Sequence, residues 1–248
     1  MDRWVGKTAL VTGASAGIGA AIAKAFVGAD LQVVGLARRV ELVQELANSL
    51  KGAKGKLHAV KCDLRNERSI VDAFEWTEKE LGGVDVLVNN AGIGALSSIA
   101  EGSTEDFRKV LDVNVLAVVI CTREAIKSMR SRGKEGHLFY LNSVLGYNAV
   151  FTKFPMGIYP ASKYAVRALV ENVAQEIEFA GDNIRTTSII PGLVKTDIFN
   201  AAGGSDAIFD RLPYVQPKDI ADGVMFALSA GPGVRVDEVR ITPLRRKL

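Results

Sequence analysis

TGASAGIG, residues Thr12–Gly19, joins a short apolar run to an alanine-rich helical pattern. The run Thr8–Thr12 is typical of a buried parallel strand, and Ile18–Val27 has the composition of a helix. A glycine-rich turn between a strand and a helix lets the backbone approach a pyrophosphate, which the first N–H groups of the helix then bind. The glycines follow the spacing GxxxGxG rather than GxGxxG. The alternative is a tight turn that only packs the helix on the sheet.

The alternation of strand and helix continues along the chain. Short apolar runs predict strands, and the amphipathic segments between them predict helices. The predicted strands are Thr8–Thr12, Gln32–Leu36, Leu57–Lys61, Val84–Val88, His137–Leu141, Ile184–Ile190 and an edge strand at Glu238–Ile241. The predicted helices are Ile18–Val27, Val40–Leu50, about Glu67–Leu81, a region from Ser103 or Thr104 towards Ser131, Gly157–Phe179 and Asp219–Leu228. Right-handed crossovers between such strands build a parallel sheet that is covered on both faces.

The chain has no Pro/Ser-rich linker, internal repeat or low-complexity stretch, so residues 1–248 are predicted to form one domain. Its predicted class is α/β, a Rossmann-type doubly wound parallel sheet that both binds the dinucleotide and carries the catalytic groups. Ligands of such folds bind at the carboxyl ends of the strands, near the topological switch point. A substrate loop is expected at about residues 193–216.

The composition is that of an ordinary globular protein, with 48% hydrophobic and 24% charged residues. The formal net charge of +3 is too small to indicate a nucleic-acid-binding protein. Cys62 and Cys121 lie in apolar segments outside any CxxC pair, which favours buried thiols in a reducing compartment. The run Val113–Cys121 is too short to span a bilayer, and Met1–Lys7 has no signal-peptide pattern. We therefore expect a cytoplasmic protein without a membrane span.

The end of the second predicted strand indicates which dinucleotide is bound. NAD-selective sites place an acid about 20 residues after the glycines, where it binds the ribose 2′-hydroxyl. This sequence has Ala37 there, followed by Arg38 and Arg39. A guanidinium matches a 2′-phosphate in charge and geometry, so the prediction is NADP(H). The alternative is that both arginines are solvated at the start of the next helix.

Polar residues also follow the third and fourth predicted strands. Asp63 and Leu64 are placed to face the adenine edge, although Asp63 is equally suited to cap the helix before Glu67. The fourth strand is closed by Asn89, Asn90, Ala91 and Gly92. These residues are suited to fix the backbone around the cofactor ribose or, alternatively, to form a turn stabilised by side-chain hydrogen bonds.

Tyr159 and Lys163 stand four residues apart in a helical pattern, so they share one face of the helix. A free tyrosine hydroxyl has a pKa of about 10 and is a poor base at neutral pH. A neighbouring ammonium stabilises the phenolate and lowers that pKa, which would let Tyr159 exchange a proton with an alcohol or carbonyl oxygen. Such a pair also arises by chance on ordinary helix surfaces.

Two further polar residues are candidates for the same chemistry. Ser143 follows the fifth predicted strand, where its hydroxyl is suited to bind a substrate oxygen or, alternatively, to form a turn. Asn114 interrupts an apolar helical stretch, and a buried amide needs hydrogen-bond partners. It is expected either to bind the backbone locally or to hold a water that connects Lys163 to solvent. His58 and His137 have no ligand cluster around them in the sequence, so no metal site is predicted.

In their order along the chain, these residues resemble the motifs of the short-chain dehydrogenase/reductase family. The resemblance covers nearly the whole chain, and the ordered set is far more specific than any one motif. It consists of TGASAGIG (Thr12–Gly19), Asp63, NNAG (Asn89–Gly92), Asn114, Ser143, YPASK (Tyr159–Lys163) and PGLVKT (Pro191–Thr196).

The resemblance implies a role for each matching residue. Tyr159 would be the acid and base, and Lys163 would lower its pKa and bind the nicotinamide ribose. Ser143 would orient the substrate oxygen, and Asn114 would hold a relay water. The candidate cofactor-binding residues besides Tyr159 and Lys163 are Gly13, Ser15, Gly17, Ile18, Gly19, Arg38, Arg39, Asp63, Leu64, Asn90, Ala91, Gly92, Pro191, Gly192, Val194 and Thr196. The implied activity is the NADP(H)-dependent interconversion of an alcohol and a carbonyl compound, by a homodimer or homotetramer.

A closer likeness is to the subgroup of insect farnesol dehydrogenases and related broad carbonyl and ketosteroid reductases. It is carried by the phrases VVGLARR, KCDL, VNVLAVVICTREA and SKYAVRAL. The segment between Ser143 and Tyr159 is a few residues longer than is common in the family, and Val234–Leu248 is atypical. These departures leave the four catalytic candidates intact and bear on the pocket shape and on subunit contacts.

The two segments expected around the nicotinamide, Val144–Met156 and Leu193–Phe209, are rich in large apolar side chains. They supply Val144, Leu145, Tyr147, Val150, Phe151, Phe154 and Met156, and then Leu193, Val194, Ile198, Phe199, Ile208 and Phe209. Lys153 and Lys195 are the only cations in the two segments. Apolar walls favour a hydrophobic alcohol or carbonyl compound as substrate. The alternative is that these side chains pack against the body of the protein or another subunit and leave a small polar cleft.

Two other functions remain open on the sequence. One is a dinucleotide-binding regulator without catalysis, against which the four intact catalytic candidates argue. The other is a 3-oxoacyl-carrier-protein reductase, which usually needs a basic patch for its acidic carrier. Arg123, Lys127, Arg130 and Arg132 either supply such a patch or are the solvated end of a helix.

Overall fold

The fold is a parallel sheet with helices on both faces. The computed structural model describes residues 1–149 and 155–244. Seven strands lie in these ranges: β1 (Thr8–Thr12), β2 (Gln32–Ala37), β3 (Lys56–Lys61), β4 (Val86–Asn89), β5 (Gly136–Leu141), β6 (Ile184–Pro191) and β7 (Glu238–Ile241). Their order is β3-β2-β1-β4-β5-β6-β7, and the pairings are parallel throughout. The predicted doubly wound Rossmann-type architecture is confirmed, including the edge strand near the end of the chain.

β1 is buried along its whole length because it pairs with β2 on one side and β4 on the other. Burial on both faces explains why this strand is a continuous apolar run rather than an alternating one. The chain order reverses at β1, since β2 and β3 lie to one side of it and β4 to β7 lie to the other. The carboxyl end of β1 is therefore the topological switch point, and the glycine-rich turn begins there.

The helices follow the predicted positions with local differences. They are α1 (Gly17–Gly28), α2 (Val40–Ser49), α3 (Glu67–Leu81), α4 (Thr104–Leu111), α5 (Ala117–Ser131), α6 (Tyr159–Ala180), α7 (Ile198–Ala201), α8 (Ile208–Arg211) and α9 (Pro217–Ser229). Ser103 caps α4, as predicted, by accepting a backbone N–H. The long helix predicted after it is instead two helices joined by a π-helical turn, Asp112–Leu116. α9 begins before the predicted Asp219, because that carboxylate accepts the N–H of Gln216 and so belongs to a first turn opened by Pro217.

Two hydrophobic cores lie on the two faces of the sheet. Alternate residues of β1 enter them, with Ala9 and Val11 in the first core and Leu10 in the second. α1 and α9 cover the first core, while α3, α5 and α6 cover the second. Cys62 and Cys121 are free and buried in the second core, which confirms the prediction of buried thiols. Among the described residues, no helix is long and apolar enough to cross a membrane.

Candidate active site

A large cleft, about 790 Å³ in volume, runs along the carboxyl ends of the strands. The sequence-predicted residues that line it are Gly13, Ser15, Gly17, Ile18, Arg38, Arg39, Asp63, Leu64, Asn90, Ala91, Gly92, Tyr159, Lys163, Pro191 and Thr196. The predicted residues outside this lining are Gly19, Asn114, Ser143, Gly192 and Val194. The fold therefore brings the glycine-rich turn and the Tyr159–Lys163 pair into one cleft, as predicted from the sequence.

The glycine-rich turn requires glycine for its conformation and for space. Gly13 has a φ of 69° and Gly17 a φ of 55°, a left-handed region that is unfavourable for other residues. A Cβ atom at Gly19 would lie 2.4 Å from the carbonyl oxygen of Gly13 and 2.5 Å from the side-chain nitrogen of Asn90. The absence of side chains lets the first turn of α1 approach the end of β1 and leaves backbone exposed to the cleft.

Thr12 and Asn90 fasten this turn to the end of β4. The Thr12 hydroxyl oxygen accepts the backbone N–H groups of Asn90 and Ala91, each at 3.0 Å. The Asn90 side chain donates to the carbonyl oxygen of Thr12 at 2.7 Å. Asn90 thus stabilises the turn by side-chain hydrogen bonds, as one interpretation predicted, and it also lines the cleft, while its role at a cofactor ribose stays a prediction. Sequence reasoning missed the role of Thr12. The only feature that could have predicted it is a hydroxyl side chain directly before Gly13.

Arg38 and Arg39 line the cleft beyond the end of β2, and both are exposed. Arg39 occupies the N-cap position of α2 without a side-chain cap hydrogen bond. A guanidinium has only donors, so it cannot cap the N–H groups at the start of a helix. This placement suits an anion at the rim of the cleft and equally suits solvated side chains, so both predicted interpretations remain open.

The alternative role of Asp63 as a helix cap is wrong. Asn66 caps α3 instead, with its side-chain oxygen accepting the N–H of Ser69 at 3.3 Å. Asp63 lines the cleft and binds Arg65, whose Nη2 lies 2.8 Å from Oδ2. The hydrogen bond from Arg65 lowers the pKa of the Asp63 carboxyl.

The catalytic candidates meet at the end of β5. Lys163 is buried and its Nζ donates to the carbonyl oxygen of Leu141 at 2.7 Å. The same Nζ lies 5.7 Å from the centre of the Tyr159 ring. Ser143 hydrogen-bonds with the Tyr159 side chain, and its hydroxyl also accepts the N–H of Leu145 at 3.1 Å. Ser143 therefore forms the predicted turn and at the same time contacts the tyrosine hydroxyl.

Desolvation dominates the titration of this pair. Burial raises the pKa of Tyr159 to about 12, and the hydrogen bond with Ser143 opposes that rise. Burial also lowers the pKa of Lys163 to about 8. The direction for Tyr159 is opposite to the one predicted from the spacing of the pair. The reason is that the loss of solvent around the phenol is the largest effect and outweighs the hydrogen bond with Ser143.

Asn114 lies in the π-helical turn between α4 and α5 and is buried. Its Oδ1 accepts the N–H of Ile93 at 2.9 Å, and its Nδ2 donates to the carbonyl oxygen of Ile93 at 2.9 Å. Nδ2 also lies 3.0 Å from the hydroxyl oxygen of Ser162. The amide thus binds backbone, but in the segment after β4 rather than locally as one alternative predicted. Sequence reasoning missed Ser162, although it stands directly before Lys163 in the YPASK motif.

Comparison with known proteins decides the family. A model of the short chain dehydrogenase family matches residues 7–205, which is most of the chain. This chain belongs to the short-chain dehydrogenase family. It is therefore an oxidoreductase of the class that acts on alcohols and carbonyl compounds, and the predicted resemblance is confirmed.

Full-length relatives of this short-chain dehydrogenase include a farnesol dehydrogenase of Aedes aegypti, 45% identical over 100% of both chains. The dehydrogenase/reductase SDR family member 11 of Gallus gallus is 41% identical over 98% of both. An alcohol dehydrogenase of Thermococcus sibiricus complexed with 5-hydroxy-NADP has a TM-score of 0.83 at 28% identity, over 98% of both chains. A family member of Burkholderia phymatum in complex with NAD has a TM-score of 0.84 at 25% identity, over 97% of this chain and 90% of the other. These structures support a nicotinamide dinucleotide as the cofactor.

Two predicted cofactor-binding residues of this dehydrogenase lie behind the cleft wall. A Cβ atom at Gly192 would lie 3.0 Å from Cδ of Pro243, so this residue faces the end of the chain. Val194 is buried in the first hydrophobic core and forms a bridge with Val215. The N–H of Val215 donates to the carbonyl oxygen of Leu193 at 2.9 Å, which closes the base of the predicted substrate loop. The Val194 side chain packs in the first hydrophobic core instead of lining the cleft.

The predicted apolar wall is only partly present in this dehydrogenase. Ile198 lines the cleft, but Tyr147 turns away from it and donates to Glu238 on β7. Arg167 and Arg240 lie over the Tyr147 ring, at 4.6 and 5.2 Å from its centre, which explains why this aromatic ring is kept at the sheet edge. Outside the described residues lie Val150, Phe151, Lys153 and Phe154.

Other apolar side chains line the cleft in places that sequence reasoning missed. They are Ile93, Ala95, Leu96, Val110 and Val113. The first three follow β4, in a segment without regular structure, and the last two lie on α4 and the π-helical turn. The only feature of the sequence that could have predicted these lining residues is the position of the segment after β4. Loops that follow strands at the carboxyl edge of the sheet line ligand sites in doubly wound folds.

The two histidines of this dehydrogenase have structural surroundings. His58 contacts the side-chain oxygen of Gln32 at 3.2 Å, and His137 contacts the hydroxyl oxygen of Thr187 at 2.8 Å. Desolvation lowers the pKa of both imidazoles. Within residues 1–149 and 155–244, no group of His, Cys, Asp and Glu side chains is arranged to hold a metal ion.

The buried lysine predicts a pH dependence of stability. Relative to a Lys163→Met variant, we expect the wild-type free energy of unfolding to rise between a pH of about 8 and 10.5, the folded and ordinary pKa values of this lysine. In that range the unfolded chain binds a proton that the folded protein has lost, so stability increases with pH. The full rise is about 3 kcal/mol. Urea unfolding of both proteins across this range measures it, and parallel stability curves would contradict the prediction.

Proposed function

We propose that this protein is an NADP(H)-dependent oxidoreductase that interconverts a hydrophobic alcohol and its aldehyde or ketone by Tyr159–Lys163 acid/base catalysis with hydride transfer. The observation that carries the proposal is that Tyr159 and Lys163 line the same cleft as the glycine-rich turn, with Ser143 hydrogen-bonded to the Tyr159 side chain. The substrate class includes isoprenoid alcohols and hydroxysteroids, in keeping with the farnesol dehydrogenase among the relatives.

The residues around the turn fit a dinucleotide. A Cβ atom at Gly19 would clash with Gly13, so only glycine leaves the backbone this close to the cleft. The first N–H groups of α1 are available to a pyrophosphate. The remaining cofactor-binding residues proposed are Ser15, Gly17, Ile18, Arg38, Arg39, Asp63, Leu64, Asn90, Ala91, Gly92, Tyr159, Lys163, Pro191, Gly192, Val194 and Thr196. Gly192 and Val194 would contribute backbone groups, since both lie behind the cleft wall. When bound, the dinucleotide supplies or accepts the hydride.

Selection of NADP(H) is proposed from the two exposed arginines at the end of β2. The strand ends at Ala37, so no carboxylate is present where NAD-selective sites place one. Arg38 and Arg39 offer guanidinium groups at the rim of the cleft, where they match a 2′-phosphate.

The proposed chemistry is a proton transfer at the tyrosine hydroxyl. In reduction, Tyr159 donates its proton to the developing alkoxide oxygen, and in oxidation the phenolate takes the proton of the alcohol. Ser143 orients the substrate oxygen by a hydrogen bond next to that hydroxyl. Lys163 stabilises the phenolate when its ammonium is charged. Asn114 holds the backbone around a relay water through its bonds to Ile93.

We also propose a cytoplasmic homodimer or homotetramer without a nucleic-acid partner. Leu116 and Val119 are exposed apolar residues next to the start of α5, and a second copy of the chain would cover them. Sedimentation velocity at several protein concentrations measures the assembly. A monomer at every concentration would contradict this part of the proposal.

A substrate and cofactor panel tests the function. We expect kcat/KM for an isoprenoid alcohol or a ketosteroid to exceed that for short polar analogues by at least about tenfold, because apolar surface is buried in the cleft. Ile198→Asn should reduce that preference, since Ile198 lines the cleft, whereas Leu212→Asn should not, since Leu212 is exposed elsewhere in the same loop. Steady-state rates with NADPH and NADH complete the panel.

The outcomes of this panel separate the competing functions. A clear advantage for polar analogues would contradict the hydrophobic substrate and leave the oxidoreductase class intact. Binding of NADPH with no turnover of any alcohol or carbonyl compound would favour a regulator instead. A strict requirement for an acyl-carrier-protein thioester would favour the carrier-protein reductase.

A further inference from the structure

The rim of the cleft beyond β2 and β3 carries three arginines and one carboxylate. Its lining includes Arg38, Arg39, Asp63 and Arg65. We call these four residues the basic rim. Sequence reasoning placed the first three at the cofactor and did not include Arg65. In the proposed function this rim receives the phosphate that distinguishes NADP from NAD, so each charge in it bears on cofactor selection.

Arg65 binds both carboxylate oxygens of Asp63. Its Nη2 donates to Oδ2 at 2.8 Å, and its Nε donates to Oδ1 at 3.2 Å. The backbone N–H of Arg65 donates to Oδ1 as well, at 3.1 Å. A two-pronged pair of this kind fixes the orientation of the carboxylate and offsets its charge. The two side chains keep about two-fifths of their surface exposed, at 41% for Arg65 and 38% for Asp63, so the pair remains at the rim.

Without that pairing, Asp63 would oppose binding of a phosphate. A carboxylate at the same rim as Arg38 and Arg39 repels a 2′-phosphate by its like charge and attracts the guanidinium groups that would bind that phosphate. Arg38 lines the same rim as Asp63, and its charge makes the smallest contribution to the lowered pKa of that carboxyl, after the hydrogen bonds and charge of Arg65. An unpaired Asp63 would therefore compete with the phosphate for Arg38.

We propose that Arg65 is a positioning residue for cofactor selection, which binds both oxygens of Asp63 and so keeps that carboxylate from pairing with Arg38 in place of the 2′-phosphate. The inference rests on the proposed preference for NADP(H). It assigns Arg65 an effect through Asp63 and no direct contact with the phosphate. Removal of Asp63 should accordingly make Arg65 dispensable.

The test is a double-variant series in which kcat and KM are measured with NADPH and with NADH. We expect Arg65→Ala to lower the NADPH-to-NADH ratio of kcat/KM by up to about fivefold, which is the size of effect that one partly exposed charge pair gives. The change should arise from a higher KM for NADPH, with kcat unchanged. Asp63→Asn in the Arg65→Ala background should restore the wild-type ratio. Any loss of an adenine contact from Asp63 affects both cofactors equally and cancels in the ratio.

Arg68→Ala is the matched control. Arg68 stands in the first turn of α3, is paired with Asp72 at 2.7 Å, and is absent from the cleft lining. Its removal should leave the ratio unchanged. Asp63→Asn alone, which also breaks the Arg65 pair but leaves no competing carboxylate, should keep or raise the preference for NADPH.

Two results would overturn the inference. One is an unchanged ratio in Arg65→Ala, and the other is a lowered ratio that Asp63→Asn does not restore, which would mean direct phosphate binding by Arg65. The wild-type arm tests the proposed function separately. A wild-type preference for NADH would overturn both the proposed cofactor and the inference. If the wild type prefers NADPH and either of the two results above is found, only the inference is overturned.

Discussion

Tyr159→Phe is expected to lower kcat by at least about a hundredfold, which is the usual contribution of a positioned acid or base. The substitution removes only the hydroxyl that hydrogen-bonds with Ser143 and that would exchange the substrate proton. The ring remains to fill its place beside Lys163, so folding and NADPH binding should persist. Single-turnover rates and the dissociation constant for NADPH, measured on the same preparation, separate chemistry from binding.

Tyr164→Phe is the matched control for this variant. Tyr164 lies on the same helix, α6, but is 40% exposed and is absent from the cleft lining. It should retain wild-type kcat. Near-normal turnover in a well-folded Tyr159→Phe protein would rule out the tyrosine as the proton donor. A loss of NADPH binding equal to the loss of rate would instead assign it a role in binding.

The double substitution Arg38→Ala/Arg39→Ala is expected to lower kcat/KM for NADPH by about a hundredfold and to leave kcat/KM for NADH nearly unchanged. Hydrogen bonds to charged groups contribute about 1.5–3 kcal/mol each, and the two guanidinium groups are the proposed partners of the 2′-phosphate. Because both side chains are exposed, the wild-type preference for NADPH should also fall as the salt concentration rises.

Lys51→Ala/Lys54→Ala controls for the loss of two positive charges. Both lysines are exposed in the turn after α2 and do not line the cleft. This control should keep the wild-type cofactor ratio at every salt concentration. Equal or better activity of the wild-type enzyme with NADH would refute the assignment of NADP(H).

The fold could be predicted because its signals are local and repeated. β1 is apolar at both faces, and the glycines that follow it have one physical purpose, a close backbone approach at Gly13 and Gly19. The spacing of Tyr159 and Lys163 placed both on one helix, and the parallel sheet then brought that helix to the cleft. These predictions needed only periodicity, turn chemistry and the rule that ligands bind at the carboxyl edge.

Other features depend on tertiary contacts that no local pattern shows. Tyr147 was predicted to be part of the substrate wall, but two arginines and Glu238 hold it at the sheet edge. The sequence suited Asp63 equally to a helix cap and to a site residue, and only the structure shows that Asn66 is the cap. The pKa of Tyr159 was predicted to fall, whereas burial raises it, and the burial of a side chain cannot be predicted from the spacing of two residues.

The predicted substrate loop also contains two helices that sequence periodicity did not reveal. α7 and α8 are four residues long each, which is too short for an apolar repeat to develop. The π-helical turn around Asn114 was hidden for a related reason, because one extra residue in a helical turn hardly alters a hydrophobic pattern.

The closure of the loop base by Val194 and Val215 bears on how new specificities arise in this enzyme. Because the two ends of the loop are joined by backbone hydrogen bonds, residues 197–214, which follow the proposed cofactor-binding Thr196, behave as an insert whose length and sequence can vary at little cost to the sheet beneath. Ser143, Tyr159 and Lys163 lie outside that insert, next to β5 and on α6. Transplanting the insert from a relative should therefore exchange substrate preference while the proton-transfer groups stay in place, which makes the loop a natural unit for directed evolution.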